Sequence, residues 1–462
     1  MHSIPKKNDQ IEINIEDIGT DGEGIGKVEG YTLFVKDTVM GDLALVQVMK
    51  SGKTYGYARL IRLISPSPYR TKPRCPISAK CGGCQLQHIT YQKQLEFKEN
   101  KVRNCLTRIG GFTDYTMDAI CGMEEPYYYR NKSQFPVGYN KDGSTAIGFY
   151  AGRTHSIIDT EHCYIGAEIN TDILKIIRKF LTEYHIEPYQ EEAHKGLLRH
   201  ILTRVGYSTG EIMVCLVING SKLPHQDQLI AELRKLPGMK SICLNVNKEK
   251  TNVILGEKVI TLWGEPFITD RIGTVNYRIS AQSFYQVNPV QTKKLYDIAL
   301  EYAGLHGDET VWDLYCGIGT ISLFLAQMAK KVYGVEIIPQ AIEDARTNAR
   351  INGIENVEFY TGAAEEVLPR AYREEKIYAD VIVVDPPRKG CEKSLLDTIL
   401  AMAPKRIVYV SCDPATLARD LKYLCEKDYK LERVCAVDQF CHSVHVETCV
   451  LLTRKSAVDY KC

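Results

Sequence analysis

The chain has 462 residues, length for about three domains at roughly 150 residues each, so a peptide-sized binding module is excluded. With 44% hydrophobic and 25% charged residues the composition is that of an ordinary globular protein, and no apolar run approaches the roughly 18 residues that span a bilayer. The net charge of +1 is unevenly spread, because the stretch between Asp42 and Glu96 holds nine Lys and Arg and no acid, leaving a net −8 elsewhere. The start, Met1 to Lys7, lacks an apolar h-region, so no secretory leader is expected and the setting expected is cytoplasmic. Sixteen cysteines in a reducing compartment read as metal ligands, nucleophiles or small core hydrophobes rather than as a disulfide framework.

Residues 10 to 64 alternate apolar and polar positions in short runs (Ile11 to Ile15, Thr32 to Val35, Leu43 to Met49, Tyr55 to Ile64) separated by glycine-bearing turns. That pattern predicts about five strands and a small barrel of OB type. Tyr55, Tyr57, Tyr69 and Tyr91 interleave with the cations of the acid-free stretch, the pairing of charge and rings found on RNA-binding surfaces. Ser65-Pro66-Ser67-Pro68 breaks any regular element and reads as a linker. Residues 67 to 277 are mixed: a helix from about Tyr91 to Ile109, strands within Tyr127 to Tyr139 and Ala146 to Tyr150, and a hairpin turning at Ser208-Thr209-Gly210. From about Arg278 strands alternate with helices of 10 to 15 residues, the rhythm of a doubly wound α/β domain with a parallel sheet. The expected division is therefore a barrel over 1–66, an α+β domain over 67–277 and an α/β domain over 278–462.

Within the last part, Val311 to Tyr315 reads as a strand, Cys316-Gly317-Ile318-Gly319 as the turn and Thr320 to Lys330 as the following helix. Glycines there let backbone N–H groups approach a ligand at a helix N-terminus. Glu336 ends the next strand 23 residues after Asp313, where an acid binds ribose hydroxyls. Ser322 stands where a dinucleotide site would carry its third glycine, which speaks against NAD. Asp385 ends the strand Asp380 to Val384 at the carboxyl edge where such sheets bind ligands. Cys412 follows the strand Arg406 to Val410 and precedes Asp413 and Pro414, a good N-cap and first helical residue, so the helix dipole is expected to stabilise its thiolate. Glu447, taken alone, reads as a surface strand residue.

Together Phe284-Tyr285-Gln286-Val287-Asn288, Asp313 to Thr320, Gly334-Val335-Glu336, Asp385-Pro386-Pro387-Arg388, Ser411-Cys412-Asp413-Pro414 and His445-Val446-Glu447-Thr448 resemble the uracil-C5 RNA methyltransferases of RumA/TrmA type. The N-terminal barrel is similar to a TRAM domain, which favours the RumA-like 23S rRNA branch. The resemblance implies S-adenosylmethionine as methyl donor, with Gln286, Tyr315, Glu336 and Asp385 contacting it. It implies Cys412 as nucleophile and Glu447 as proton acceptor. Phe440-Cys441 departs from the Phe-Pro pair frequent ahead of the His445 position. The chemistry independently asks for such a pair: a thiolate adding to C6 makes C5 nucleophilic, and a base must later remove the C5 proton.

Cys75, Cys81 and Cys84 form a C-x5-C-x2-C run that lacks the second ligand pair of the usual zinc spacings. In the RumA-like enzymes this spacing holds a 4Fe-4S cluster whose fourth ligand corresponds to Cys163. Arg130, Asn131 and Lys132 read as further RNA contacts. The expected function is methylation of uracil C5 in RNA, 23S rRNA first, with no membrane and no obligate protein partner. A tRNA uracil or RNA cytosine target is the nearest rival, and an iron–sulfur RNA-binding protein with an inactive methyltransferase domain is the rival of another class.

Overall fold

The structure, a computed structural model, describes residues 4–152 and 154–455; the leader reading at Met1 to Ser3 and the chain end after Lys455 lie outside them. Its contacts divide it into two compact units, one running through Lys101 with Tyr150–Ser156 and Phe440–His445, the other holding the remainder.

In the first unit β1 (Gln10–Ile18), β2 (Gly24–Val28), β3 (Tyr31–Lys36), β4 (Leu43–Ser51) and β5 (Tyr55–Ser65) close a barrel in the order β1-β2-β3-β5-β4, as the alternation predicts. Inward positions such as Ile13, Leu33, Val35, Val46 and Ala58 are buried because every second residue of a strand faces the lumen. Gly26 permits the β1–β2 crossing: a Cβ there would lie 2.5 Å from the Asn14 carbonyl oxygen. The Ser-Pro run proves to be fastened rather than free. The Asp42 carboxylate, fully buried, accepts from Ser67 N at 2.8 Å and from Arg70 Nε and Nη2 at 2.8 and 2.7 Å. Helix α1 (Tyr91–Cys105) follows and ends in a π-helical turn, Leu106–Gly110.

The second unit contains two large sheets. After β6 (Thr116–Cys121), strands β7 (Lys132–Tyr139), β8 (Thr145–Tyr150), β9 (Ile157–Asp159), β10 (Leu198–Val205), β11 (Ile212–Ile218), β12 (Met239–Val246) and β13 (Lys258–Gly264) form a seven-stranded sheet, ordered β13-β12-β11-β10-β7-β8-β9. Helices α2 (Asn170–Glu183) and α3 (Gln226–Leu233) supply apolar residues to the same core. Every residue of β11 is buried, as expected of a strand covered on both faces.

A hairpin, β14 (Phe267–Ile272) and β15 (Val275–Ser280), then leads to α4 (Pro289–Ala303) and the α/β part. There β16 (Thr310–Leu314), α5 (Thr320–Leu325), β17 (Lys331–Glu336), α6 (Pro339–Ile351), β18 (Val357–Thr361), α7 (Ala364–Arg373), β19 (Val381–Val384), α8 (Lys393–Met402), β20 (Arg406–Ser411) and α9 (Pro414–Cys425) alternate, and β21 (Tyr429–Val437) and β22 (Glu447–Arg454) finish the sheet. Its order is β18-β17-β16-β19-β20-β22-β21-β6, the first five strands parallel and β22 antiparallel to its neighbours. Strand β6 pairs parallel with β21, a long-range partnership that local periodicity cannot announce. No helix among the described residues is long and apolar enough to cross a membrane.

Candidate active site at the carboxyl edge of the parallel sheet

Because β16, β17, β19 and β20 run parallel, the residues at their carboxyl ends, Tyr315, Glu336, Asp385 and Cys412, meet at one edge of the sheet. Strand β22 runs the other way, so its first residue, Glu447, comes to that edge too; Ser411 pairs with Thr448, setting Cys412 beside Glu447.

The glycine turn after β16 is shaped for close approach. Tyr315 has φ 68° and Gly317 and Gly319 have φ 56° and 79°; a left-handed tyrosine is strained, the kind of backbone that gathers at functional sites. The Tyr315 hydroxyl donates to Glu365 Oε1 at 2.7 Å. Glu336 accepts from Gly317 N at 3.2 Å and from Ile338 N at 3.0 Å, so its carboxylate already faces the turn. Ser322, the residue in place of a third glycine, donates to Asp313 Oδ2 at 2.5 Å. Asp313 is fully buried, and burial pushes its carboxyl up to about 7 despite that bond.

Cys412 precedes a well-capped helix, since the Asp413 carboxylate accepts from Ala415 N and Thr416 N at 2.9 and 3.1 Å and Pro414 opens α9. The expected thiolate stabilisation is nevertheless overturned. Burial pushes the Cys412 thiol up to about 11, the Glu447 and Asp385 carboxylates add to the rise, and Arg388 opposes it. A helix end offers about half a charge, falling off within one turn; burial and two nearby carboxylates outweigh it. Burial likewise pushes Asp385 up to about 7. Glu447, raised by burial first and by Asp385 second, with Arg388 opposing, reaches about 8. Glu447 is 4% exposed, not the surface residue its strand pattern suggests. Helix α9 fixes the loop carrying Arg388: Thr416 Oγ1 donates to Arg388 O at 3.1 Å and Arg419 Nη2 to Lys389 O at 2.8 Å.

Gln286 lies on the segment between β15 and α4. Its carbonyl accepts from Asn131 Nδ2 at 2.9 Å and its side-chain oxygen from Gln439 Nε2 at 3.4 Å; among the described residues no hydrogen bond joins it to the other five. Asn131 is thus corrected from RNA contact to support: it is 7% exposed, and its N–H also donates to Val287 O. Lys132 is mostly buried, and burial, with Arg204 and Arg130, holds its amine down at about 8. Sequence reasoning assigned no role to Arg388; the one signal available was its place directly after Asp385-Pro386-Pro387.

Cys75, Cys81 and Cys84 lie half-buried in the first unit, where Cys75 N donates to Gln87 Oε1 at 3.1 Å and Gly83 N to Cys81 Sγ at 3.4 Å. Cys163 belongs to the second unit, and burial raises its thiol. Thiols are the donor type an iron–sulfur cluster takes. Among the described residues, however, no three His, Cys, Asp or Glu side chains converge into a group able to hold a metal ion.

A parallel sheet with a glycine turn and buried acids at its carboxyl edge fits a methyltransferase of the S-adenosylmethionine-dependent class. The tRNA (uracil-5-)-methyltransferase family profile matches residues 90–455 and the TRAM domain profile residues 6–61, and the chain belongs to that family, the RumA/TrmA type. An uncharacterized RNA methyltransferase of Clostridium acetobutylicum is 52% identical over 452 residues, covering 97% of this chain and 98% of the relative. One of Bacillus cereus is 51% identical over 450 residues, 97% of each. The crystal structure of Pyrococcus abyssi tRNA (uracil-54, C5)-methyltransferase with S-adenosyl-L-homocysteine superposes with TM-score 0.77 at 30% identity, covering 96% of this chain and 99% of that one. The chain is an RNA methyltransferase of the uracil-C5 family with S-adenosylmethionine as its donor.

Proposed function

We propose that the protein methylates C5 of a uridine in 23S rRNA through a covalent adduct on Cys412, with Glu447 as the final base. The observation that carries this is the Ser411–Thr448 register, which sets a thiol and a buried carboxylate side by side at the ligand edge. The donor supplies an electrophilic methyl on a sulfonium, and Tyr315, Glu336, Asp385 and Gln286 would hold it. Cys412 must first lose its proton; a cation in the site favours the ionised forms of Cys412, Asp385 and Glu447 alike. The thiolate forms a bond to C6, the electron pair released at C5 takes the methyl, and the sulfonium leaves as a neutral thioether. Glu447 then accepts the C5 proton, the C6–S bond breaks, and the ring regains its double bond.

We assign residues 1–66 to the barrel, 67–277 to a central domain and 278–462 to the methyltransferase domain, and place the protein in the cytoplasm. Cys75, Cys81, Cys84 and Cys163 are proposed ligands of a 4Fe-4S cluster on the strength of their thiol donor set and the family resemblance; no step of methyl transfer passes through it. A tRNA uridine is the second reading, favoured by the full-length likeness to a tRNA methyltransferase. Labelled donor given with unmodified rRNA and tRNA, followed by mapping of the labelled nucleotide, decides between them. Label on 23S rRNA uridine supports the proposal, label confined to tRNA selects the second reading, and label on cytosine overturns both.

A further inference from the structure

Close to the catalytic edge lies a buried carboxylate that the proposed chemistry leaves unused. Strands β19 and β20 pair from Val381 with Arg406 to Val384 with Tyr409, so the sheet registers the strands but not the loop Pro386 to Glu392 that follows β19. Pro386 and Pro387 give that loop no N–H to donate, and its next backbone polar groups turn to side chains of α9. Arg388 O accepts from Thr416 Oγ1 at 3.1 Å, Lys389 O accepts from Arg419 Nη2 at 2.8 Å, and Cys391 N donates to Asp420 Oδ2 at 2.8 Å. Asp420 is 1% exposed. Its Oδ2 also accepts from the Tyr409 hydroxyl on β20 at 2.7 Å, and its Oδ1 from Arg419 Nε at 2.8 Å. One carboxylate thereby ties β20, α9 and the loop together. The contact is tight: Gly390 has φ 77°, and a Cβ there would lie 2.4 Å from Asp420 Oδ2 and 2.6 Å from Arg419 Nη2.

The loop so fastened carries Arg388, the cation that opposes burial and the acids at Cys412 and Glu447, and α9 begins two residues after Cys412. Arg388 is itself exposed, so packing of its own side chain does not fix it; the backbone ties of its neighbours do. We infer that Asp420 is a positioning residue of the methyl-transfer site: with Arg419 it holds the Pro386 to Glu392 loop on α9 and so keeps the Arg388 guanidinium within electrostatic reach of Cys412. The purpose of this clamp rests on the uracil-methylating reading, while its effect on the thiol can be measured without RNA.

The test uses the full chain and the rate at which Cys412 exchanges with an aromatic disulfide reagent at pH 8, with peptide mass mapping to isolate that thiol. Asp420→Asn keeps the size but offers one acceptor oxygen where two are used, and Gly390→Ala drives the loop outward without changing any charge. Each should slow exchange about threefold, since one opposite charge near a thiol changes its thiolate fraction about tenfold and nucleophilicity recovers part of that. Neutralising Asp420 with the loop still in place would speed exchange instead, so the sign separates positioning from plain charge. In an Arg388→Ala background neither substitution should slow exchange further. Tyr429→Phe, which removes a buried hydrogen bond to Pro404 O ahead of β20, controls for lost stability and should exchange as wild type. With RNA and labelled donor, both variants should lower single-turnover methyl transfer about tenfold or more, because a misplacement of about 1 Å costs up to a hundredfold. Circular dichroism checks each fold; where Asp420→Asn does not fold, Gly390→Ala decides. Unchanged or faster exchange in the folded variants, slowing that persists without Arg388, equal slowing by Tyr429→Phe, or methyl transfer at the wild-type rate would overturn the assignment. If the thiol pattern holds while the wild type methylates no RNA, the positioning stands and the functional reading falls.

Discussion

The Cys412 thiol offers a quantitative check on the electrostatics of the site. With its titration pushed up to about 11, about one thiol in a thousand is ionised at pH 8, against roughly one in ten for a group at 9. That is a hundredfold deficit of thiolate. A more basic thiolate is also a better nucleophile, with a Brønsted coefficient of about 0.4–0.5, which recovers close to tenfold. Net exchange of Cys412 with an aromatic disulfide reagent should therefore run about tenfold slower at pH 8 than that of an unperturbed thiol, and climb until about pH 11. Above pH 8 Glu447 is largely ionised, so Glu447→Gln removes a negative neighbour and should shift the inflection down and speed the exchange. Arg388→Ala removes the opposing cation and should slow it. Peptide mass mapping separates Cys412 from the other cysteines. An inflection below about 8.5, or two substitutions acting in the same direction, would refute the ranking of burial and carboxylates over the helix end.

Asp313→Asn should flatten part of the pH dependence of stability: the carboxyl titrates near 3.8 unfolded and about 7 folded, so its contribution is present below about pH 4, lost by about pH 7, and amounts to roughly 4 kcal/mol. Denaturant midpoints of wild type and variant across that range check it; parallel curves would contradict it. Asp42→Ala should destabilise the barrel unit by about 3 kcal/mol or more, because the Arg70 guanidinium and the Val39 and Ser67 N–H groups all lose their acceptor; a change under about 1 kcal/mol in chemical denaturation counts against it. Protein purified without oxygen should contain iron and sulfide and lose them on Cys163→Ser, whereas equimolar zinc without iron rules the cluster out.

Much of this site was legible because strand ends, caps and glycine turns are local signals. Asp413 and Pro414 announce the start of α9, and Gly317 and Gly319 the turn after β16, from their immediate neighbours alone. The meeting of Glu447 with Cys412 was legible only through family resemblance, since it depends on β22 entering the sheet antiparallel, a pairing no short window encodes. The same limit hid β6, whose partner β21 lies more than 300 residues later. Burial reversed two local inferences. Asn131 between Arg130 and Lys132 resembles a basic surface, yet tertiary packing turns its amide onto the Gln286 carbonyl. Cys412 has the sequence setting of an activated thiol, but the acids that reach it from β19 and β22 are distant in the chain.

The adduct itself is the most direct test of the proposed chemistry. If Glu447 removes the C5 proton, Glu447→Gln still permits thiolate addition and methyl transfer, because both precede deprotonation. A denaturing gel with RNA and methyl-labelled donor should then show a labelled, slow-migrating protein–RNA band that disappears in the double variant with Cys412→Ala. A folded, donor-binding Glu447→Gln protein that yields no such band would contradict the account.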